Sequence, residues 1–225
     1  KYFPIMDLQT FNGILLLLFL LYFQLSKPFQ ETRMSQGALV NNLFVATNSK
    51  SETTRNVLLV LGGTLFLALM SQLSFKLSFT PVPITGQTFA VVLIGLTYGR
   101  KLAASTLATY LLAGTAGLPF FANAASGLFF LLPSGGYLIG FFFSAVMCGH
   151  FADKGWTKSP FKLAAIMLMS HVIIFACGLA QLSLFVPAEK LLAFGWLPFL
   201  PGDVVKSAAV IALLPTAWKF VRNKE

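Results

Sequence analysis

From residue 57 onward the chain passes between long apolar runs and short breaks of polar residues, proline and glycine. Six runs stand out, at 57–75, 84–98, 102–118, 137–152, 163–186 and 204–221. None shows the apolar/polar alternation of a membrane strand, which would come in segments of about ten residues, so the runs predict helices. A bilayer core about 30 Å thick wants about 20 helical residues. The second, third and fourth runs fall short of that. They suit a compact bundle, in which neighbours cover ends that lipid would leave bare and glycine-punctuated backbone lines a cavity. The expected fold is all-α: an integral membrane bundle of six transmembrane helices filling residues 57–225.

Composition points the same way. Apolar types make up 56% of the chain and charged types 10%, with a mean hydropathy of +0.79. A soluble domain carries about 25% charged residues. So few charges cannot cover a surface that faces water, which excludes soluble enzymes. Disorder is excluded as well, because it requires low hydrophobicity. The net charge of +9 raises the question of nucleic acid, and the placement of the charges answers it. Arg55, Arg100, Lys101, Lys154, Lys158, Lys162, Lys219, Arg222 and Lys224 fall on one side of the six runs; Lys76, Lys190 and Lys206 fall on or near the other. This is a positive-inside distribution. It predicts a multi-pass cell-membrane protein with both ends of the six-helix core in the cytoplasm, in contact with the lipid bilayer and with no nucleic-acid partner.

Residues 1–56 read separately. An apolar run at 11–25 is followed by Pro28 and a polar stretch through residue 56. The run is open to three readings: a signal or transit segment, a peripheral membrane helix, or an extension ahead of Met34. The polar stretch reads as a flexible linker with no core of its own.

The chemistry within the runs is sparse. Gly95, Gly99, Arg100 and Lys101 lack the spacing and the hydroxyl of a phosphate-binding loop. Gly95 and Gly99, like Gly136 and Gly140, read as small faces for helix packing. Cys148 and His150 are two residues apart and point to different sides of a helix; with His171 and Cys177 they read as packing residues, and no metal site or resident cofactor is expected. No nucleophile–base constellation shares a common depth, so an enzyme is not expected. Asp153 and Glu189 each stand beside a lysine and read as solvated loop residues.

Asp203 is different. It follows Pro201-Gly202 at the opening of the last run, with Lys206 three residues on and therefore on the same helical face. A cap for that helix accounts for an Asp there. However, a charge at membrane depth costs about 2.5–3.5 kcal/mol on insertion scales and by default marks a functional site with a partner. Two loops on the same side add to it. The loop at 79–87 is stiffened by Pro81 and Pro83 and carries Thr85 and Gln87 at the entry of the next helix. The long segment between Gly117 and Tyr137 holds Phe121, Asn123 and several glycines, as a lid would. Together they predict an outward-opening cavity for a small, largely apolar solute with one polar head.

These residues resemble the BioY family, the biotin-specific substrate-binding (S) components of energy-coupling factor (ECF) transporters. The resemblance is carried by Pro-Val-Pro-Ile-Thr-Gly-Gln-Thr at 81–88, Gly-Arg-Lys at 99–101 and Tyr-Leu-Leu-Ala-Gly-Thr-Ala-Gly-Leu-Pro-Phe-Phe at 110–121. Pro-Ser-Gly-Gly-Tyr-Leu-Ile-Gly-Phe at 133–141 and Pro-Gly-Asp-Val-Val-Lys at 201–206 complete it. The signatures stand in order over residues 57–219. Ser134 occupies a position where the family usually has threonine. The resemblance implies a six-helix protein that binds biotin from outside and takes it up with a transmembrane coupling subunit and two ABC-type ATPases, or works without the full set. ATP would then be used by the partner subunits alone.

With biotin as the expected substrate, Asp203 would accept from a ureido N–H, a charge-assisted bond. Asn123 would offer donor and acceptor to the same head group, and Lys206 would neutralise Asp203 or reach the valerate carboxylate. Thr85 and Gln87 would add hydrogen-bonding groups, while Phe79, Phe121 and Tyr137 would pack the rings. Thr64 with Ala68, and Ala104 with Ala108, form small faces that suit either docking of the coupling subunit or packing within the chain. The alternative to this reading is a stand-alone secondary transporter for another vitamin or small amphipathic solute.

Overall fold

The computed structural model describes residues 38–40 and 49–222; the apolar run at 11–25 lies outside the described residues. The first long helix, α1, spans Ser49–Gln72. It therefore starts inside the stretch read as a linker. Ala38, Leu39 and Val40 from that stretch are also buried, with Ala38 lying against Gly99. Along α1, Leu58, Leu61, Leu65 and Leu69 recur every three or four residues on the exposed side. Thr64, Leu67, Ala68 and Ser71 are buried on the opposite side. An apolar outer face and a mixed inner face are what lipid as a solvent selects.

A short antiparallel ribbon follows, β1 (Ser74–Phe75) paired with β2 (Ile84–Thr85), with Ser74 opposite Thr85. It pins the proline-bearing loop between them and delivers the chain to α2, Gln87–Thr115. This second helix is broken at Gly99, whose φ of 78° and ψ of 172° are not helical. The break is a reversal. A continuous helix would hold Gln87 and Tyr110, 23 residues apart in the chain, about 34 Å apart, yet their side chains are hydrogen-bonded at 2.7 Å. Residues 87–98 and 100–115 are therefore the two arms of a hairpin. Glycine is required at the turn because the conformation has positive φ and because Asp153 and Ala38 crowd the space that a Cβ would fill.

Asp153, expected to be a solvated loop residue, instead accepts the backbone N–H of Arg100 at 3.1 Å. It caps an N–H freed where the second arm begins.

The central helix is α3, Gly135–Asp153, packed on the α2 hairpin on one side and on α4, Pro160–Leu182, on the other. Glycines set both contacts. Gly95 of α2 meets Ala145 and Cys148, while Gly136 and Gly140 meet Cys177 and Ile174. After α4 the chain forms a short helix, α5 (Ala188–Gly195), which includes Glu189 in its first turn, and then α6, Leu200–Arg222. Among the described residues four stretches are long and apolar enough to cross a membrane: Lys50–Gln72, Gly135–Asp153, Pro160–Leu182 and Ala188–Trp218. The protein is thus mostly helical, with several membrane-competent helices. Each arm of α2 alone is shorter than the about 20 residues of a full crossing.

Candidate functional site

The beginnings of α2, α3 and α6 and the 116–134 connection surround a cavity of about 290 Å³. Its floor is charged. Asp203 is 4% exposed, and although it lies in the first turn of α6 its carboxylate forms no bond to the backbone of its own helix among the described residues. Oδ1 lies 3.4 Å from Lys206 Nζ and 3.5 Å from the Thr88 hydroxyl. Oδ2 has no hydrogen-bond partner among the described residues. Lys206 donates to the Thr88 hydroxyl at 2.8 Å and to the Thr85 carbonyl at 2.9 Å. The ammonium is thus held against the ribbon and the start of α2, beside Asp203 and in the lining of the cavity.

The wall is braced from behind. Gln87 is buried and has both ends of its amide engaged: Nε2 donates to the Tyr110 hydroxyl at 2.7 Å, and Oε1 accepts from Thr85 at 3.1 Å. Tyr110 in turn donates to the Phe120 carbonyl at 2.9 Å. That chain of bonds ties both arms of α2 to the connection carrying Phe121 and Asn123. Phe121 fits over bare Gly114 and meets Tyr110 and Phe129 edge-on, with ring centroids 5.6 and 6.0 Å away. Tyr137 donates its hydroxyl to the Gly195 carbonyl at 2.7 Å, so it offers the cavity its ring face. Phe141, Phe175 and Phe199 complete an apolar enclosure.

Asn123 is at the exposed rim. Its backbone is left-handed, with φ of 60°, a conformation asparagine tolerates better than most residues. Its Oδ1 accepts from Ser74 at 3.2 Å, which leaves the amide N–H groups for a ligand. Next to it the Ala124 N–H donates to Gln72 at 2.9 Å, fastening the rim to the end of α1.

Seven of the residues expected from the sequence thus line one cavity: Asp203, Lys206, Asn123, Gln87, Thr85, Tyr137 and Phe121. Phe79 does not. It is exposed and packs on Phe194 of α5, with centroids 6.2 Å apart, whereas Pro81, Val82 and Pro83 of the same loop do line the cavity. The small faces on α1 and α2 are also occupied within the chain. Thr64 is buried and donates to the Thr106 carbonyl at 3.3 Å, Ala68 and Ala104 are buried, and Ala108 packs on the same core. Small residues here let α1 approach the second arm of α2, and none of the four offers a free docking face. Residues missed include the wall aromatics Phe141, Phe175 and Phe199 and, among groups with polar atoms, Thr88, Lys76 and His171. Thr88 lies one helical step beyond Gln87 in the same signature. Lys76 lines the mouth and was legible only as a lone cation in an outer loop. His171, read as a packing residue, brings Nε2 to 3.7 Å from Asp203 Oδ2.

Comparison with known proteins fits this geometry. The profile of the BioY family matches residues 41–223. The chain belongs to the BioY family. It is 37% identical over 137 residues to the biotin transporter BioY of Thermotoga maritima, covering 59% of this chain and 80% of that one. It is 32% identical over 170 residues to the biotin transporter BioY of Rhizobium etli, covering 72% and 90%. A crystal structure of the S-component for biotin from an ECF-type ABC transporter aligns with a TM-score of 0.69 at 26% identity, over 77% of this chain and 95% of that chain. BioY proteins are transport proteins and not enzymes.

Proposed function

We propose that this chain binds biotin in the Asp203 cavity and carries it across the membrane as the S component of an ECF-type transporter. The observation that carries the reading is the buried carboxylate with one oxygen unbonded at the floor of an apolar cavity. Biotin presents two ureido N–H donors, a ureido carbonyl, a thioether ring and a carboxylate tail. A ureido N–H can satisfy Asp203 by a charge-assisted bond, and Asn123 can donate to the ureido carbonyl. Aromatic faces enclose the rings. The volume, about 290 Å³, lies at the low end of ligand sites and suits a molecule of this size. With Lys206 held at the floor, Lys76 at the mouth is the cation left for the carboxylate tail.

In the bilayer the chain crosses six times, with α1, the two arms of α2, α3, α4 and α6 as the crossing segments. The basic end, with Arg100, Lys154, Lys158 and Lys162, faces the cytoplasm. Transport is energised by a coupling subunit and ABC-type ATPases in other chains. Titration calorimetry of the purified protein with biotin, thiamine and riboflavin tests the ligand; saturable heat with biotin alone is expected. Asp203→Asn should weaken binding about 10- to 150-fold, the worth of one hydrogen bond to a charged group. Uptake of labelled biotin should require co-expressed coupling and ATPase subunits. Uptake by the chain alone, abolished by a protonophore, would favour the stand-alone secondary transporter instead.

A further inference from the structure

The connection between α3 and α4 gathers three lysines on aromatic rings. After Asp153 the chain forms a 3-10 turn, Trp156–Lys158, that packs against α3, α4 and α6. Lys154 Nζ stands 5.9 Å from the centroid of the Phe151 ring, and Lys162 Nζ 5.4 Å from that of Trp156. Those two rings touch, with centroids 4.5 Å apart. Lys158 Nζ lies 4.7 Å over Trp218 of α6. Trp218 is fixed in turn, because its indole N–H donates to the buried Thr157 hydroxyl at 3.0 Å. All three lysines are exposed, and none has an ion pair among the described residues. A ring face attracts a cation through its quadrupole and leaves the three ammonium donors free to turn to an oxygen. A positive-inside bias needs only cations at this end of the bundle; it does not need them held on rings around one turn.

This cluster sits at the end of an apolar groove of about 780 Å³ between α4 and α6. Lys162 precedes Ala164, the first lining residue on α4, by about half a helical turn, and Trp218 stands at the corresponding end of α6. Toward the lysines the lining is wholly apolar, with Ala164, Met167 and Leu168 from α4 and Ala208 and Ile211 from α6. The polar members, His171, Ser207 and Asp203, come further along. Leu168 is 69% exposed, so the groove opens toward the bilayer. Phe161, 88% exposed at the start of α4, and the two tryptophans mark the level at which headgroups lie. A ligand that suits both parts carries negative oxygens at one end and a long hydrocarbon at the other. A transmembrane segment of a partner would fill the groove but has no need of the lysines.

We infer that this corner binds an anionic phospholipid, its phosphate on Lys158 and Lys162 and one acyl chain along the groove. On the orientation proposed above, the lipid comes from the cytoplasmic leaflet, whose anionic headgroups attract lysines at the surface. It ties α4 to α6, the helix that carries Asp203.

Native mass spectrometry of the purified full chain in neutral detergent tests this. Phosphatidylglycerol and phosphatidylcholine with the same acyl chains are offered in equal amounts. The expected result is a preference of about 5- to 30-fold for the anionic lipid, the worth of one to two lysines. Lys158→Gln with Lys162→Gln should remove the preference, and Lys158→Arg with Lys162→Arg should keep it. Lys190→Gln, which removes a cation over Phe194 in another part of the chain, should leave it unchanged. Ala208→Phe fills the groove and should lower retention of the anionic lipid, with an unchanged thermal midpoint showing that the variant folds. Glycerol 3-phosphate, a headgroup without chains, should not compete at equal concentration.

Equal retention of the two lipids overturns the inference. So does a preference that survives the double glutamine variant, one that is lost in Lys190→Gln, or retention unaltered by Ala208→Phe. Effective competition by glycerol 3-phosphate would make this a site for free phosphate esters, and a dimer without lipid would assign the groove to a second copy; either result overturns it as well. No step uses biotin, so failure here leaves the biotin reading standing, and failure of biotin to bind leaves the lipid site standing.

Discussion

Lys206 Nζ lies 3.4 Å from Asp203 Oδ1, but its shorter bonds, of 2.8 and 2.9 Å, go to the Thr88 hydroxyl and the Thr85 carbonyl. One ammonium thus neutralises the floor of the cavity and also clamps α6 to the ribbon and the start of α2. Lys206→Met removes both effects and leaves a buried carboxylate without its cation, a change that costs about 3–5 kcal/mol when a buried pair is broken. A clear fall in thermal midpoint is expected in detergent. Asp203→Asn combined with Lys206→Met should recover part of that loss, since no lone charge remains buried, while biotin affinity stays poor. A double variant no more stable than Lys206→Met would show that the clamp, and not the ion pair, dominates.

Lys76 offers a sharper test of ligand orientation. It lines the mouth and is exposed to water, so a bond from it to a carboxylate is screened and modest. Lys76→Gln should weaken biotin about three- to tenfold and leave the neutral amide of biotin almost unaffected. The wild-type preference for the acid over the amide should shrink as salt is raised. Equal losses for acid and amide would place the tail elsewhere.

The parts of this site that could be read from the sequence were those held by local spacing. Asp203 and Lys206 share a helical face at i and i+3, and Thr85, Gln87 and the prolines before them sit in one short segment, so their common end of the bundle followed from the order of the runs. Partnerships formed across the fold carried no such mark. His171 lies on a different helix from Asp203, and an isolated histidine in an apolar run is indistinguishable from a packing residue until the helices are assembled. Phe79 differs in the opposite direction: it shares a loop with the cavity-lining Pro81, Val82 and Pro83, but its ring packs on Phe194 of α5, a contact made across the fold that local spacing does not show. The α2 hairpin was visible as two runs separated by Gly99, Arg100 and Lys101. What the residues did not disclose was that Asp153 of α3 closes its turn.

That closure makes Gly99 a point of fragility. Its φ of 78° with ψ of 172° is a backbone region open essentially to glycine, costing other residues about 1–3 kcal/mol, and a Cβ would also strike Asp153 and Ala38. Gly99→Ala should lower the thermal midpoint strongly. Asp153→Ala, which removes the cap on Arg100 N–H, should cost at least about 1 kcal/mol. Gly62 supplies the control, because its Cβ would meet open space inside a regular helix, where alanine is favoured by about 1 kcal/mol. Gly62→Ala should therefore leave the midpoint unchanged or raise it. If Gly99→Ala behaves like Gly62→Ala in the same thermal scan, the reversal at residue 99 is wrong.

Tyr110 separates bracing of the lid from contact with the ligand. Its hydroxyl accepts from Gln87 and donates to the Phe120 carbonyl, so it joins α2 to the rim without itself lining the cavity. Tyr110→Phe leaves the buried Gln87 amide one bond short, a penalty of about 1–3 kcal/mol, and frees the segment bearing Phe121 and Asn123. A looser rim lets ligand escape sooner but takes away no group that meets it. Stopped-flow measurement should therefore give faster biotin dissociation with a nearly unchanged association rate, the pattern expected when a pre-formed enclosure is loosened. Phe79→Ala alters an aromatic contact outside the cavity and should move neither rate by more than about twofold, the scale of a surface substitution. If Phe79→Ala slows or speeds biotin as much as Tyr110→Phe does, the loop between β1 and β2 closes over the ligand and belongs to the lid.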